Sequence, residues 1–247
     1  MNAIARSPSY WQAARMHRYS LILVLPLLLL YEALASVLSH DPRGDVRNGA
    51  DVILKGLFVA MAGSRGPAIF MAVVIALSLW LIRKDLRENG RGFRLGVFAG
   101  MAAESIAYAL AFGLVVGLIT ARLLGVLATL AMGPVQTLAP SRQLMISLGA
   151  GLYEELLFRV VLVSALAFGA RSLFGWSRRL SGVVAALLGA AIFSAFHYVG
   201  TFGDPLTLES FTYRMIGGVF FSALYLLRGF GITAWTHSLY DVLLLMR

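Results

Sequence analysis

Apolar residues in this chain come in long blocks, not in the strict alternation of a strand or the single stripe of a surface helix. Seven blocks approach the bilayer-spanning length of about 20 residues: 20–38, 67–83, 95–118, 143–168, 181–199, 213–228 and 230–246. Each predicts a helix, because a segment surrounded by lipid must satisfy its backbone N–H and C=O groups internally. The expected fold is all-α, a polytopic transmembrane helical bundle of about seven spans, bounded by six and eight. Two shorter apolar segments, 50–62 and 121–132, cannot cross and predict interfacial or re-entrant helices, and either would change the count. The segments 40–49 and 200–206 carry Gly, Pro and Asp and read as turns. No repeat, low-complexity tract or soluble linker divides the pattern, so residues 1–247 read as one integral-membrane domain.

Composition agrees with the pattern. Hydrophobic residues make up 59% of the chain and charged ones 13%, about half the charged share of a soluble domain (~25%). The absence of cysteine removes disulfides, a thiolate nucleophile and any Cys-based metal site. A formal charge of +9 would suit nucleic acid, but the arginines lie in short segments between apolar blocks; topology accounts for them, and the expected partner is membrane lipid. With the N-terminus cytoplasmic, the inner segments hold twelve basic residues and the outer ones eight, which predicts an N-in, C-out arrangement. Ala33-Leu34-Ala35 imitates a signal-peptidase site, yet the preceding apolar core is too long for a signal peptide and Glu32 interrupts it, so the first block reads as a span.

The candidate chemistry follows from the cost of polar groups in lipid. An ionisable side chain at the bilayer centre costs roughly 2.5–3.5 kcal/mol on insertion scales. Those that bear it are Glu32, Glu104, Glu154, Glu155, Arg159, His197, His237 and Asp241, most of them in the C-terminal half. On a helix Glu155 and Arg159 are one turn apart and can pair, while Glu154 is rotated about 100° away and is left free. A purely structural triad of all three is the competing reading. His197 sits one turn after Phe193, where an imidazole can serve chemistry or cap a helix C-terminus. His237 and Asp241 are also one turn apart, a spacing that suits either an oriented imidazole or a pair bracing helices. Together these residues supply a general base, imidazole donors and an anchoring group for water-dependent chemistry. The usual serine-hydrolase elbow and the H-E-x-x-H zinc signature do not occur.

Glu154-Glu155-x-x-x-Arg159, Phe193-x-x-x-His197 and His237-x-x-x-Asp241, in that order and each in an apolar block, resemble the CAAX protease and bacteriocin-processing (CPBP, or Abi) family of glutamic-type intramembrane proteases, which includes the prenyl-protein endopeptidase. The resemblance covers residues 140–245. It implies an endopeptidase of a bacterial plasma membrane that cleaves a membrane-associated peptide or protein and needs no cofactor. Glu154 and His197 would activate a water, His237 and the residue at 241 would stabilise the oxyanion, and Glu155, Arg159 and Phe193 would support the site. Position 241 is Asp where the family pattern often has Asn, and an ionised carboxylate has no hydrogen to donate. Asp241 is expected instead to orient His237, or to be protonated by burial. Three alternatives stay open at the level of sequence: a proton- or cation-coupled carrier using Glu32, Glu104 and Glu154; a non-catalytic immunity or scaffold protein; and a zinc site built from Glu154, His197 and His237.

Overall fold

The computed structural model describes residues 8–40, 45–90, 92–125, 134–200 and 202–246, and among them every regular element is helical. A one-turn helix α1 (Tyr10–Ala13) precedes α2 (His17–Leu38), α3 (Gly49–Ala62), α4 (Gly66–Glu88) and α5 (Leu95–Leu124). A continuous helix, Pro140–Phe174, follows in three parts: α6 (Pro140–Gly149), a π-wound segment (Ala150–Val163) and α7 (Ser164–Phe174). The chain closes with α8 (Arg178–Phe196), α9 (Leu208–Arg228) and α10 (Phe230–Leu245). Six helical stretches are long and apolar enough to cross a membrane. The seventh expected span is α10, 16 residues or about 24 Å long.

Side-chain contacts give the direction of each span. Arg18, at the start of α2, pairs with Asp85 at the end of α4 (3.1 Å). Arg142, at the start of α6, donates to the carbonyls of Leu38 and His40 at the end of α2. Phe158 packs on Phe193 and Phe196 near the end of α8, and Arg228 at the end of α9 holds Glu104 in the first third of α5. Gly231, at the start of α10, lies against Ser20 near the start of α2. Thus α2, α5, α8 and α10 run one way, and α4, Pro140–Phe174 and α9 run back. Gly229, with φ +84°, makes the tight reversal from α9 to α10.

The short apolar segment 50–62 is α3, and it does not cross. Its Asp51 and Lys55 both reach α2 at one level, Tyr31 and Glu32, and its Phe58 meets Phe70 near the start of α4. The chain therefore ascends α2, passes across the end of the bundle in α3, and descends α4. Residues Val52, Ile53, Leu57, Val59 and Met61 leave one side of α3 apolar and exposed, as an interfacial helix requires. Of the other short segment, 121–124 continues α5, and 126–132 lies outside the described residues.

The main apolar core joins α2, α3, α4, α6, the π segment and α10 around Leu27, Tyr31, Met145 and Tyr153. Two further clusters pack α1, α2 and α5 around Met101, and α5, α9 and α10 around Phe112 and Phe221. The motif-bearing residues sit where the first and third of these meet.

Candidate active site

The π segment carries Glu154, Glu155 and Arg159. Its bonds close from i to i+5, a winding found at functional sites more often than elsewhere. It lies against α10 through Gly151, where a Cβ would collide with Ser238 and the Ala234 carbonyl. This close approach brings the first and third motifs together. Phe158 stacks edge-on to Phe193 of α8 at 5.2 Å, which brings in the second.

The two glutamates have different partners. Glu155 is fully buried and makes two contacts: its Oε2 lies 3.2 Å from Arg159 Nε, and its Oε1 accepts from His237 Nδ1 at 2.7 Å. The first follows from the i, i+4 spacing; the second joins residues 82 apart in the chain. Arg159 is itself buried, lies 4.2 Å over the ring of Phe193 and 5.5 Å over that of Phe221, and donates to the Gly218 carbonyl at 3.4 Å. Phe193 thus serves as a platform for the guanidinium and packs edge-on to His197 at 4.8 Å.

Glu154 Oε1 accepts from Asn48 Nδ2 at 2.8 Å. Its Oε2 is buried, has no hydrogen-bond partner among the described residues, and faces His197 Nε2 at 4.0 Å. His197 is the C-cap of α8, and its Nδ1 donates to the Phe193 carbonyl at 2.9 Å. The helix-capping reading therefore holds for one ring nitrogen, and the bond it makes turns the lone pair of the other towards Glu154.

His237 lies flat against Phe221, with ring centroids 4.4 Å apart and planes at 20°. Its Nε2 is 3.7 Å from Asp241 Oδ2, beyond a hydrogen bond. The carboxylate that orients this imidazole is Glu155, and Asp241 is the more distant neighbour, because a π-to-α10 contact closer than one helical turn is available.

Asn48, like Phe221, is a residue at the site that the sequence pattern did not single out. It is buried, caps α3 by accepting from Ala50 N at 2.9 Å, and spends its amide N–H on Glu154. An Asn immediately before an apolar run signals an N-cap, but nothing local ties it to a carboxylate 106 residues away. A polar network holds this end of α3 in place: Tyr31 donates to Asp51 at 2.8 Å, and Lys55 bridges Asp51 and Glu32, each at 2.7 Å. Arg47 joins the same two carboxylates, and Tyr153 donates to Glu32. Glu32 and Glu104 thus each meet a cation, and they lie in separate networks, Glu104 at 2.7 Å from Arg228. Among the described residues no three His, Asp or Glu side chains converge as ligands for a metal ion.

Three polar motifs thus meet at one buried point of a bundle of apolar helices. Residues 136–243 match the family model described as Rce1-like, type II CAAX prenyl endopeptidase, so the resemblance read from the three motifs holds across the segment that carries them. This segment is similar to the Rce1-like family, which is a family of peptidases. No curated protein and no solved structure matches the chain.

Proposed function

We propose that the chain is an intramembrane endopeptidase that hydrolyses a peptide bond of a membrane-associated substrate with a water activated by Glu154 and His197. One observation carries this reading: Glu154 Oε2 and His197 Nε2 face each other at 4.0 Å, while the other heteroatom of each side chain is fixed by Asn48 and by the Phe193 carbonyl. That gap exceeds a hydrogen bond and suits a water that touches both groups. The water gives a proton to this pair as its oxygen attacks the substrate carbonyl, and the pair returns the proton to the departing amine. Hydrolysis is then balanced, with one water consumed and an acid and an amine formed.

His237, anchored through Nδ1 by Glu155, presents Nε2 to the same space, and in its doubly protonated form donates to the developing oxyanion. Asp241 supports the charged imidazole from 3.7 Å and is not itself assigned as a donor. Glu155, Arg159 and Phe193 keep the frame. No metal is needed by this mechanism.

The test is cleavage of membrane-anchored peptides by the purified chain in proteoliposomes. His197→Ala is expected to lower the rate by about 10²–10⁴, the usual worth of a positioned acid–base group. Full activity in that variant would overturn the assignment. Cation uptake driven by a pH gradient, with no cleavage, would replace the reading with a carrier.

A further inference from the structure

We infer that the site opens on the membrane face opposite the arginine-rich one, the non-cytoplasmic face, and that its substrate is a segment of a membrane-anchored protein or peptide presented from that side. The substrate half of this inference rests on the peptidase reading above; the sidedness does not.

The polar residues of the site form a column along the bundle axis, and their exposure rises in one direction only. Arg159, lowest on the descending π segment, has a side chain 1% exposed, and Glu155 one turn above it 0%. Glu154 is 9% and His197, at the upper end of α8, 24% exposed. On the ascending α10, His237 is 6% exposed and Asp241, one turn higher, 26%. Below the column, Arg159 is covered by Phe193 and Phe221, so the floor is closed by rings. The mouth therefore lies at the end where α8 and α10 finish and α9 begins. The interfacial helix α3 crosses this same end, with Asn48 at Glu154 and its apolar side outward, so lipid lies beside the mouth.

Charge marks the other end. Among the described residues eight exposed cations lie there: Arg15, Arg94, three in 83–87 and three in 171–179. At the mouth end Arg65 and Arg122 are exposed, whereas Arg47, Lys55, Arg142 and Arg214 are wholly or partly buried. These last four are paired: Arg47 and Lys55 bind Glu32 and Asp51, Arg142 binds backbone carbonyls, and Arg214 binds Asp204. Exposed cations near span ends stay on the cytoplasmic side, and eight against two is a far larger contrast than the twelve against eight of the sequence count, because burial removes the paired cations from the comparison. The cytoplasm is thus at the floor of the site, and the mouth faces away from it. A cytoplasmic protein tail does not reach such a mouth; a peptide or a protein anchored in the membrane, with its scissile bond on the outer side, does.

The chain has no cysteine, so single introduced cysteines read sidedness without background. Leu206→Cys, in the exposed loop at the mouth, and Gly92→Cys, where a side chain meets open space at the basic end, are the two reporters. His197→Cys reads the mouth itself. Expressed in a bacterial inner membrane, spheroplasts treated with a membrane-impermeant maleimide are expected to label Leu206→Cys and His197→Cys at least ten-fold faster than Gly92→Cys, and inside-out vesicles are expected to reverse the order. Faster labelling of Gly92→Cys in spheroplasts, or equal labelling of both reporters, would overturn the sidedness. Labelling of His197→Cys from the Gly92 side would overturn the position of the mouth. Because none of these readouts needs turnover, failure of the sidedness and failure of the peptidase reading are separate outcomes.

Discussion

Glu154 and Glu155 are neighbours in sequence with different surroundings: Glu154 Oε2 faces an imidazole nitrogen, His197 Nε2, across a 4.0 Å gap, while Glu155 Oε2 lies 3.2 Å from the Arg159 guanidinium and its Oε1 accepts from His237 at 2.7 Å. The division was half legible in the sequence. Spacing along one helix paired Glu155 with Arg159, but the bond to His237 crosses between helices, and no local pattern encodes it. For the same reason Asn48 escaped notice, although its role as an N-cap was readable. Its function at the site is testable through two variants. Asn48→Ala loses both the cap, about 1 kcal/mol, and the bond to Glu154. Asn48→Asp keeps a capping oxygen but replaces the donor to Glu154 with a like charge. Both are expected to cut peptide turnover by about 10- to 100-fold, the worth of a hydrogen bond to a charged group, and both to lower the thermal midpoint, Asn48→Ala through the lost cap and Asn48→Asp through the buried like charge. Unchanged turnover in Asn48→Asp would show that Glu154 does not depend on this amide.

At the scale of elements, the apolar blocks located the helices to within about six residues at either end, and six helical stretches are long and apolar enough to cross lipid where about seven were expected. They did not show that Ala150–Val163 is π-wound or that α3 lies across the bundle, since both depend on what the neighbours present. The π segment meets α10 through Gly151, and this contact is a point of low tolerance. Gly151→Ala forces a methyl into Ser238 and the Ala234 carbonyl, and is expected to destabilise the fold by about 1–3 kcal/mol, as overpacking does, and to lower activity with it. Gly117→Ala, where a Cβ meets nothing, is the control and is expected to leave both unchanged. Equal midpoints in detergent for Gly151→Ala and Gly117→Ala would contradict the packing described. Arg159 makes a second test: Arg159→Ala leaves Glu155 and His237 without their cation in a buried setting, a loss worth about 3–5 kcal/mol, measurable as a large fall in midpoint.

Over the whole molecule, Glu32 and Glu104 are each tied to a cation in braces separate from the point where the three motifs meet, Glu32 with Lys55 and Glu104 with Arg228. A relay through Glu32, Glu104 and Glu154 would need these braces to open. The metal-free mechanism makes its own demand on the intact protein: purified, active chain is expected to hold substoichiometric zinc by elemental analysis and to keep its rate in chelator, and loss of activity restored by added metal would contradict it. The central claim is that the first glutamate does the chemistry and the second holds the site together. It is tested most directly by the rate at which folded Glu154→Gln protein in proteoliposomes cleaves a membrane-anchored peptide. The account predicts a wild-type thermal midpoint with a rate reduced by about 10²–10⁴; a rate equal to wild type would contradict it.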